Sequence, residues 1–206
     1  PFEEDAGNGL HIHMSLVDRK GNNYFSQGKD NLANPPFSAR LRYAVGGLVK
    51  TMPEATALFA PNANSYRRLR PDMFAPVEPN WGVNHRVVAI RIPQSDANNL
   101  RFEHRPAGAD ANPYLVTAAI VAGVHYGLKN KCDPGSMVEQ GANITPKLKI
   151  PNRWEAAIAK LERSKILPAY LVKDYCKYFA MNRRAESVQF HNTISALDFD
   201  WYLRSV

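Results

Sequence analysis

The sequence predicts an α+β fold in which short strands pack with longer helices. Two segments, residues 10–16 and 100–105, alternate polar and apolar residues as half-buried strands do. Apolar patterns with helical spacing follow Ser38 and Asn112, and both residue types are good helix N-caps. The chain of 206 residues can form one large domain or two small ones, so there is room for a substantial core.

The segment 100–105 is predicted to be a strand with one charged face. Alternation places three charged side chains together on that face: Arg101, Glu103 and Arg105. A carboxylate held between two guanidiniums is strongly favoured to stay ionised. Such a carboxylate suits a metal ligand and an ion-pair scaffold equally well, and an exposed strand edge with mixed charges is a third interpretation.

The segment 10–16 follows the glycine turn Gly7–Gly9 and also has one polar face. Strict alternation places His11, His13 and Ser15 together on it. Two imidazoles one repeat apart on a strand can reach into the same cleft. Structural histidines and metal-binding histidines are both compatible with this spacing.

Helical patterns account for most of the predicted core. The helix after Ser38 is expected to kink or restart at Pro53, and the helix from Asn112, with Pro113 in its first turn, is expected to reach about Lys129. Four further segments complete the prediction: a loop over 17–37, a β-branched strand over 86–93, a short helix over 154–161 and a longer helix from 168 to about 195. The longer helix carries an apolar stripe of Leu171, Val172, Tyr175, Cys176 and Phe179.

The net charge of +7 is distributed in a way that favours small anionic ligands. Seven arginines and no lysine lie between positions 67 and 105: Arg67, Arg68, Arg70, Arg86, Arg91, Arg101 and Arg105. Guanidinium groups match carboxylate and phosphate oxygens two at a time. We therefore expect no nucleic-acid partner, although the irregular segment 61–71 is compatible with either an anion clamp or an exposed basic loop.

Cellular location is predicted from what the sequence lacks. No apolar run approaches the ~20 residues of a membrane span, and the first residues show no signal-peptide layout, so no membrane partner is expected. Two cysteines, Cys132 and Cys176, lack neighbours at metal-ligand spacing. They indicate reduced thiols and a cytoplasmic protein.

Four motifs in a consistent order resemble the C-terminal part of the catalytic domain of the glutamine synthetase family. They are Gly7-x-Gly-x-His-x-His13, Asn64-Ser-Tyr-x-Arg-Leu69, Arg86 with Arg91-Ile-Pro93, and Arg101-x-Glu-x-Arg105 followed by Asn112-Pro-Tyr114. The resemblance runs from Gly7 to the terminal Trp201–Leu203. It implies a cleft lined by antiparallel strands, in which glutamate, ATP and an amine form an amide through γ-glutamyl phosphate with divalent metals.

The resemblance also implies a role for each matching residue. His11 and Glu103 match metal ligands, with Mg²⁺ or Mn²⁺ as the expected ion. Glutamate binding is expected at Gly7, Arg68 and Arg105. Nucleotide binding is expected at His13, Ser15, Arg86, Arg91 and Arg101, with Arg86 also catalytic. We further expect the side chains of His11 and Glu103 to approach one point from neighbouring strands.

Two departures from the family pattern point to a particular branch. Ala6 stands where ammonia-using members carry Asn, and Phe74 stands where they carry the flap Glu that holds and deprotonates ammonium. Together with Trp81-Gly-Val83 and the segment 103–113, they resemble the γ-glutamylpolyamine synthetase branch. An ammonia-using glutamine synthetase, a non-catalytic structural relative and a basic nucleic-acid-binding module are the alternatives, the last the least favoured.

The resemblance makes residues 1–206 one part of a larger enzyme. The N-terminal β-grasp domain and the first catalytic strands, which supply most metal-binding glutamates in the family, are expected outside this chain. We therefore expect the 206-residue chain alone to lack ligase activity. The full-length protein is expected to form homo-oligomeric rings, as the family does.

Overall fold

The structure is a computed structural model that describes residues 7–26, 38–71, 73–139, 141–142, 149–172 and 174–203. Ala6 and part of the expected loop, residues 27–37, lie outside these ranges. The strands are β1 (Ile12–Met14), β2 (Trp81–Val83), β3 (Ile90–Ile92) and β4 (Phe102–His104). The helices are α1 (Ala39–Phe59), α2 (Ser65–Arg68), α3 (Pro113–Asn130), α4 (Trp154–Glu162), α5 (Tyr175–Asn192) and α6 (Ala196–Tyr202). The α+β prediction is confirmed.

The strands form one sheet in the order β1-β4-β3-β2. β4 pairs antiparallel with β1 and with β3, as expected, whereas β2 and β3 pair in parallel. The register places Glu103 opposite His13 on one side and opposite Arg91 on the other. Residues opposite each other in register project to the same face, so these three side chains share a polar face.

The opposite face of the sheet packs on the hydrophobic core. Ile90, Phe102 and His104 are all buried there, and the His104 ring lies 4.7 Å from the Phe59 ring, centroid to centroid. Burial lowers the pKa of His104 to about 3, so this imidazole is neutral. The alternation of polar and apolar residues in the sequence therefore correctly predicts which side chains face the core and which lie on the polar face.

The predicted strand over residues 86–93 is wrong in extent. Only Ile90–Ile92 is extended, and residues 84–89 form a bend between β2 and β3. Asn84 has a φ of 54°, a left-handed conformation that Asn tolerates better than most residues. The side chain of Asn80 accepts a hydrogen bond from the Ala89 N–H, which takes this part of the segment out of the strand ladder.

Helices α1 and α3 form the main helical contact, and glycines set their close approach. A Cβ atom at Gly47 would lie 2.1 Å from the Gly123 carbonyl oxygen, and one at Gly127 would lie 2.1 Å from the Tyr43 carbonyl oxygen. Only glycine allows this backbone contact. α1 begins at the predicted N-cap, Ser38, and continues through Pro53 without interruption.

α3 confirms its predicted start and end. The Asn112 side chain accepts hydrogen bonds from the backbone N–H groups of Tyr114 and Leu115, with Pro113 in the first turn. The helix ends at Asn130, where the C-cap Lys131 adopts the left-handed conformation. Both ends are set by local capping, which is why the sequence predicts them well.

Three further predictions need correction. The segment 61–71 is not wholly irregular, because it contains the helical turn α2. The long C-terminal helix does not begin at Pro168, which lies in a 3-10 turn at Leu167–Ala169. Asp174, with a φ of 62°, separates that turn from α5, and Val172 of the predicted stripe is 79% exposed. None of the helices in the described parts of the chain combines the length and apolar character needed to cross a membrane.

Candidate active site on the polar face of the sheet

The carboxylate of Glu103 is the centre of the polar face. It is only 3% exposed, and it accepts hydrogen bonds from Arg91 Nη1 at 3.0 Å and from Arg105 Nη1 at 2.9 Å. His11 Nδ1 lies 3.1 Å from the same Oε1 atom that Arg105 contacts. The predicted approach of His11 to Glu103 is confirmed, and its physical basis is the antiparallel pairing of β1 with β4.

The residues around Glu103 keep its carboxyl group ionised. Burial by itself raises the pKa of this carboxyl, but the nearby Arg105 and Arg91 guanidiniums outweigh burial and hold the pKa below its usual value. Burial and the charge of Arg105 lower the pKa of His11, against the opposing effect of Glu103. The site therefore contains an ionised carboxylate beside a neutral imidazole at neutral pH.

His13 and Arg101 form a second contact at the outer edge of the same face. Arg101 Nε donates to His13 Nδ1 at 3.2 Å, and Arg101 Nη1 donates to the Asn99 carbonyl oxygen at 3.0 Å. Ser15 lies one residue beyond β1 and is exposed. The roles of these residues in nucleotide binding stay predictions.

Arg68 lies against the loop that follows β4, close enough to His11 for its charge to contribute to the lowered pKa of that imidazole. The residue is 7% exposed, and its Nη2 donates to the Pro106 carbonyl oxygen at 2.9 Å. Burial lowers the pKa of its guanidinium, and the charge of Asp110 opposes that change. Gly7 packs on Arg68, because a Cβ at Gly7 would lie 2.8 Å from Arg68 Cγ. The structure thus brings together two of the three residues expected to bind glutamate.

The arginines of the 61–71 segment and of the 84–93 segment differ in their exposure. Arg67 and Arg70 are exposed while Arg68 is buried, so the three do not form one clamp. Arg91 points to Glu103, whereas Arg86 lies in the bend between β2 and β3 and is exposed. Arg86 and Arg91 are an odd number of positions apart, so a regular strand would point them to opposite faces; in the structure it is Arg91 that contacts Glu103 on the polar face.

Phe74 is exposed rather than packed. Its side chain is 83% exposed, and its φ of 56° lies in the left-handed region, which is unusual for a bulky residue. A residue that merely anchored its loop in the core would be buried. The ring is therefore accessible from solvent, and the role of Phe74 in amine specificity stays a prediction.

Asn84 and Asn8 are site residues that the sequence did not reveal. Asn84 Oδ1 accepts from Arg91 Nη2 at 3.0 Å, so Arg91 is held between Asn84 and Glu103. Asn8 Oδ1 accepts from the Ala109 N–H at 2.8 Å and thereby joins the glycine turn to the loop after β4. The signals for Asn84 were the arginine spacing and a residue type that tolerates a positive φ, but neither specifies a partner.

The donors present fit part of a divalent metal site. In the described ranges, no three side chains of the histidine, cysteine, aspartate and glutamate types gather into a group that could hold a metal ion. His11 and Glu103 supply one nitrogen and one carboxylate, the ligand types that Mn²⁺ accepts and that Mg²⁺ accepts in part. Two donors are fewer than the six such ions take, so a complete site at this position would need further ligands.

Nearly the whole chain is similar to known proteins of one family. Residues 1–202 match the family model described as "Glutamine synthetase, catalytic domain". The chain is 39% identical over 207 residues to gamma-glutamylputrescine synthetase PuuA of Escherichia coli (strain K12), covering 100% of this chain and 42% of that protein. It is 31% identical over 213 residues to a glutamine synthetase of Halobacterium salinarum, covering 98% of this chain and 46% of that protein.

A solved structure described as "Apo GmaS without ligand" has the same fold. It aligns with a TM-score of 0.82 at 28% sequence identity and covers 96% of this chain and 45% of that one. The chain spans less than half the length of these relatives.

Proposed function

We propose, since the chain belongs to the glutamine synthetase family, that its full-length protein is an ATP-dependent ligase joining the γ-carboxyl of glutamate to an organic amine. The reaction proceeds through γ-glutamyl phosphate, and ATP and Mg²⁺ or Mn²⁺ are its cofactors. Residues 1–206 form the C-terminal part of the catalytic domain in this proposal.

The observation that carries the proposal is the convergence of His11, Arg91 and Arg105 on the buried carboxylate of Glu103. Phosphoryl transfer needs charge neutralisation and positioning more than it needs covalent chemistry by the protein. Guanidiniums fixed by a carboxylate are pre-organised, so they lose little freedom when an anionic group arrives. Arg91 and Arg105 are therefore well suited to orient and neutralise phosphate or carboxylate oxygens.

His11 and Glu103 would hold the divalent metal, whose positive charge would stabilise the phosphoryl oxygens. Glu103 has a further role in this proposal, because it holds Arg91 and Arg105 in fixed orientations. The buried Arg68, packed beside Gly7, binds a carboxylate of glutamate together with Arg105. Five residues bind the nucleotide, and Arg86 among them is also catalytic: His13, Ser15, Arg86, Arg91 and Arg101.

The choice of amine depends on Phe74. A carboxylate at this position would bind ammonium and accept its proton, and phenylalanine can do neither. An exposed phenyl ring can pack against the methylene groups of a diamine, where each buried CH₂ contributes on the order of 0.8 kcal/mol. The relative that acts on putrescine by name supports this choice. The glutamine synthetase of Halobacterium salinarum supports the alternative, an enzyme that uses ammonia.

Three broader properties complete the proposal. The full-length enzyme is a homo-oligomer and works in the cytoplasm. Its substrates are glutamate and the amine, without a nucleic-acid or membrane partner. The isolated 206-residue chain has no ligase activity, because it supplies too few metal ligands.

The test is ATP consumption by the purified full-length protein with glutamate and a panel containing ammonium, ethanolamine, putrescine and spermidine. We expect ATP consumption to require both glutamate and an organic amine. Phe74→Ala should raise the KM for the amine while the KM values for glutamate and ATP change little, and Phe74→Glu should increase the use of ammonium. Glutamate-independent ATP consumption, or none with any amine, would contradict the proposal.

A further inference from the structure

Asp110 joins the loop after β4 to helix α2. Its Oδ2 atom accepts a hydrogen bond from Ser65 Oγ at 2.5 Å and another from Asn62 Nδ2 at 3.1 Å. Ser65 is the first residue of α2 and Arg68 is the last. The carboxylate therefore contacts the start of the short helix that carries the buried guanidinium.

α2 needs this external contact to hold its position. It has only four residues, and its N-cap residue Asn64 makes no capping bond through its side chain. Helices of this length are not stable by their own hydrogen bonds. Asn62 Oδ1 accepts from the Ser65 N–H at 3.2 Å and so closes the first turn, while the Asn62 amide is held by Asp110.

Loss of the hydrogen bond between Ser65 and Asp110 would destabilise α2, because Ser65 is buried. Ser65 is 3% exposed, and in the described part of the chain Asp110 is the acceptor for its hydroxyl proton. A buried hydroxyl that loses its acceptor destabilises the local structure more than an exposed one. Residues three apart on a helix lie on the same side, so a movement at Ser65 is transmitted to Arg68.

The loop that carries Asp110 is itself shaped around both residues. A Cβ at Gly108 would lie 2.1 Å from Asp110 Oδ1 and 3.1 Å from Arg68 Nη2. The Gly108 N–H donates to the Phe59 carbonyl oxygen at 3.0 Å, which ties the loop to the end of α1. The absence of a side chain at Gly108 leaves the space in which the carboxylate and the guanidinium approach the loop.

We propose that Asp110 is a positioning residue that fixes the guanidinium of Arg68 for glutamate, an inference that rests on the proposed function. Asp110 acts through Ser65 and Asn62 rather than by touching the substrate. Because Asp110 as a whole is exposed, solvent screens its charge, and its two hydrogen bonds are the main means by which it acts.

The test compares Asp110→Ala with Asp110→Asn in the full-length enzyme, assayed with glutamate, ATP and putrescine. The Ala variant removes both bonds and should raise the KM for glutamate about tenfold, with the KM for ATP and kcat within about twofold. The Asn variant keeps an oxygen that can accept both bonds, so its KM for glutamate should stay within about threefold of wild type. Ser65→Ala combined with Asp110→Ala should be no worse than Asp110→Ala alone.

Asp18→Asn is the matched control. Asp18 is a turn carboxylate that also accepts an asparagine amide, from Asn22 Nδ2 at 2.9 Å, four residues away in the same turn. Its KM for glutamate should equal that of wild type.

Amide hydrogen exchange across residues 61–70, in the same variants, needs no turnover. Exchange in Asp110→Ala should be at least about tenfold faster than in wild type and in Asp18→Asn, because α2 opens more readily. If the wild-type protein shows no glutamate-dependent turnover but exchange changes as expected, the proposed function fails and the fixing of α2 by Asp110 stands. An unchanged KM for glutamate in active Asp110→Ala, or unchanged exchange, would overturn the inference.

Discussion

Replacing Glu103 by glutamine distinguishes an ion-pair scaffold from a metal ligand. The substitution keeps the size of the side chain but removes the charge that Arg91 and Arg105 contact at 3.0 and 2.9 Å. A hydrogen bond to a charged group contributes about 1 kcal/mol more than a neutral one, so two such bonds lose about 2 kcal/mol. The unpaired guanidiniums add to the loss, and we expect about 3 kcal/mol in total.

The assay is thermal unfolding of the full-length protein in EDTA and then in Mg²⁺. In EDTA, Glu103→Gln should unfold about 5 °C below wild type, because only the ion pairs differ. If Glu103 also binds the metal, the difference should widen in Mg²⁺, since a ligand stabilises only the protein that binds it. Asp133→Asn is the control, because it loses an exposed contact with Arg42 at 3.0 Å and should unfold close to wild type. Equal unfolding temperatures in EDTA would refute the scaffold.

Three further predictions concern packing, the nucleotide side and a thiol. Gly47→Ala should lower the free energy of unfolding by about 3 kcal/mol in urea titrations, because its Cβ would lie 2.1 Å from the Gly123 carbonyl oxygen. An unchanged urea midpoint would disprove this close contact. Asn84→Gly should raise the KM for ATP about fivefold, because Arg91 loses its hydrogen-bond partner at 3.0 Å while glycine can keep the φ of 54°. A change in the KM for glutamate alone would argue against a role of Asn84 in positioning Arg91 for the nucleotide. Burial raises the pKa of the Cys176 thiol, so its alkylation at pH 8 should be at least about tenfold slower in the folded protein than in urea. Peptide mass spectrometry measures both rates, and equal rates would be inconsistent with the fold.

Local signals in the sequence predicted those elements whose ends are set locally. The Asn112–Pro113 start of α3 and the Ser38 start of α1 are capping interactions between near neighbours, and both were found as expected. The alternation around Glu103 placed its side chain on the polar face, because period-2 alternation depends only on strand geometry.

Side-chain contacts and backbone conformations that the apolar pattern does not specify account for the errors. Arg86 was expected in a strand because β-branched residues follow it, but the side chain of Asn80 takes the hydrogen bond of Ala89 and only Ile90–Ile92 remains extended. The helix expected from Pro168 is interrupted at Asp174, whose left-handed conformation the apolar spacing does not reveal. Burial of Arg68 but not of Arg67 likewise depends on the loop after β4, which the local sequence does not specify.

Competition between ammonium and putrescine for the full-length enzyme tests the central claim most directly. Both amines are supplied together at equal concentrations with glutamate and ATP, and the two products are quantified by mass spectrometry. An organic-amine ligase with Phe74 at the mouth of the site should form γ-glutamylputrescine in large excess over glutamine. An excess of glutamine would contradict the account and identify an ammonia-using glutamine synthetase.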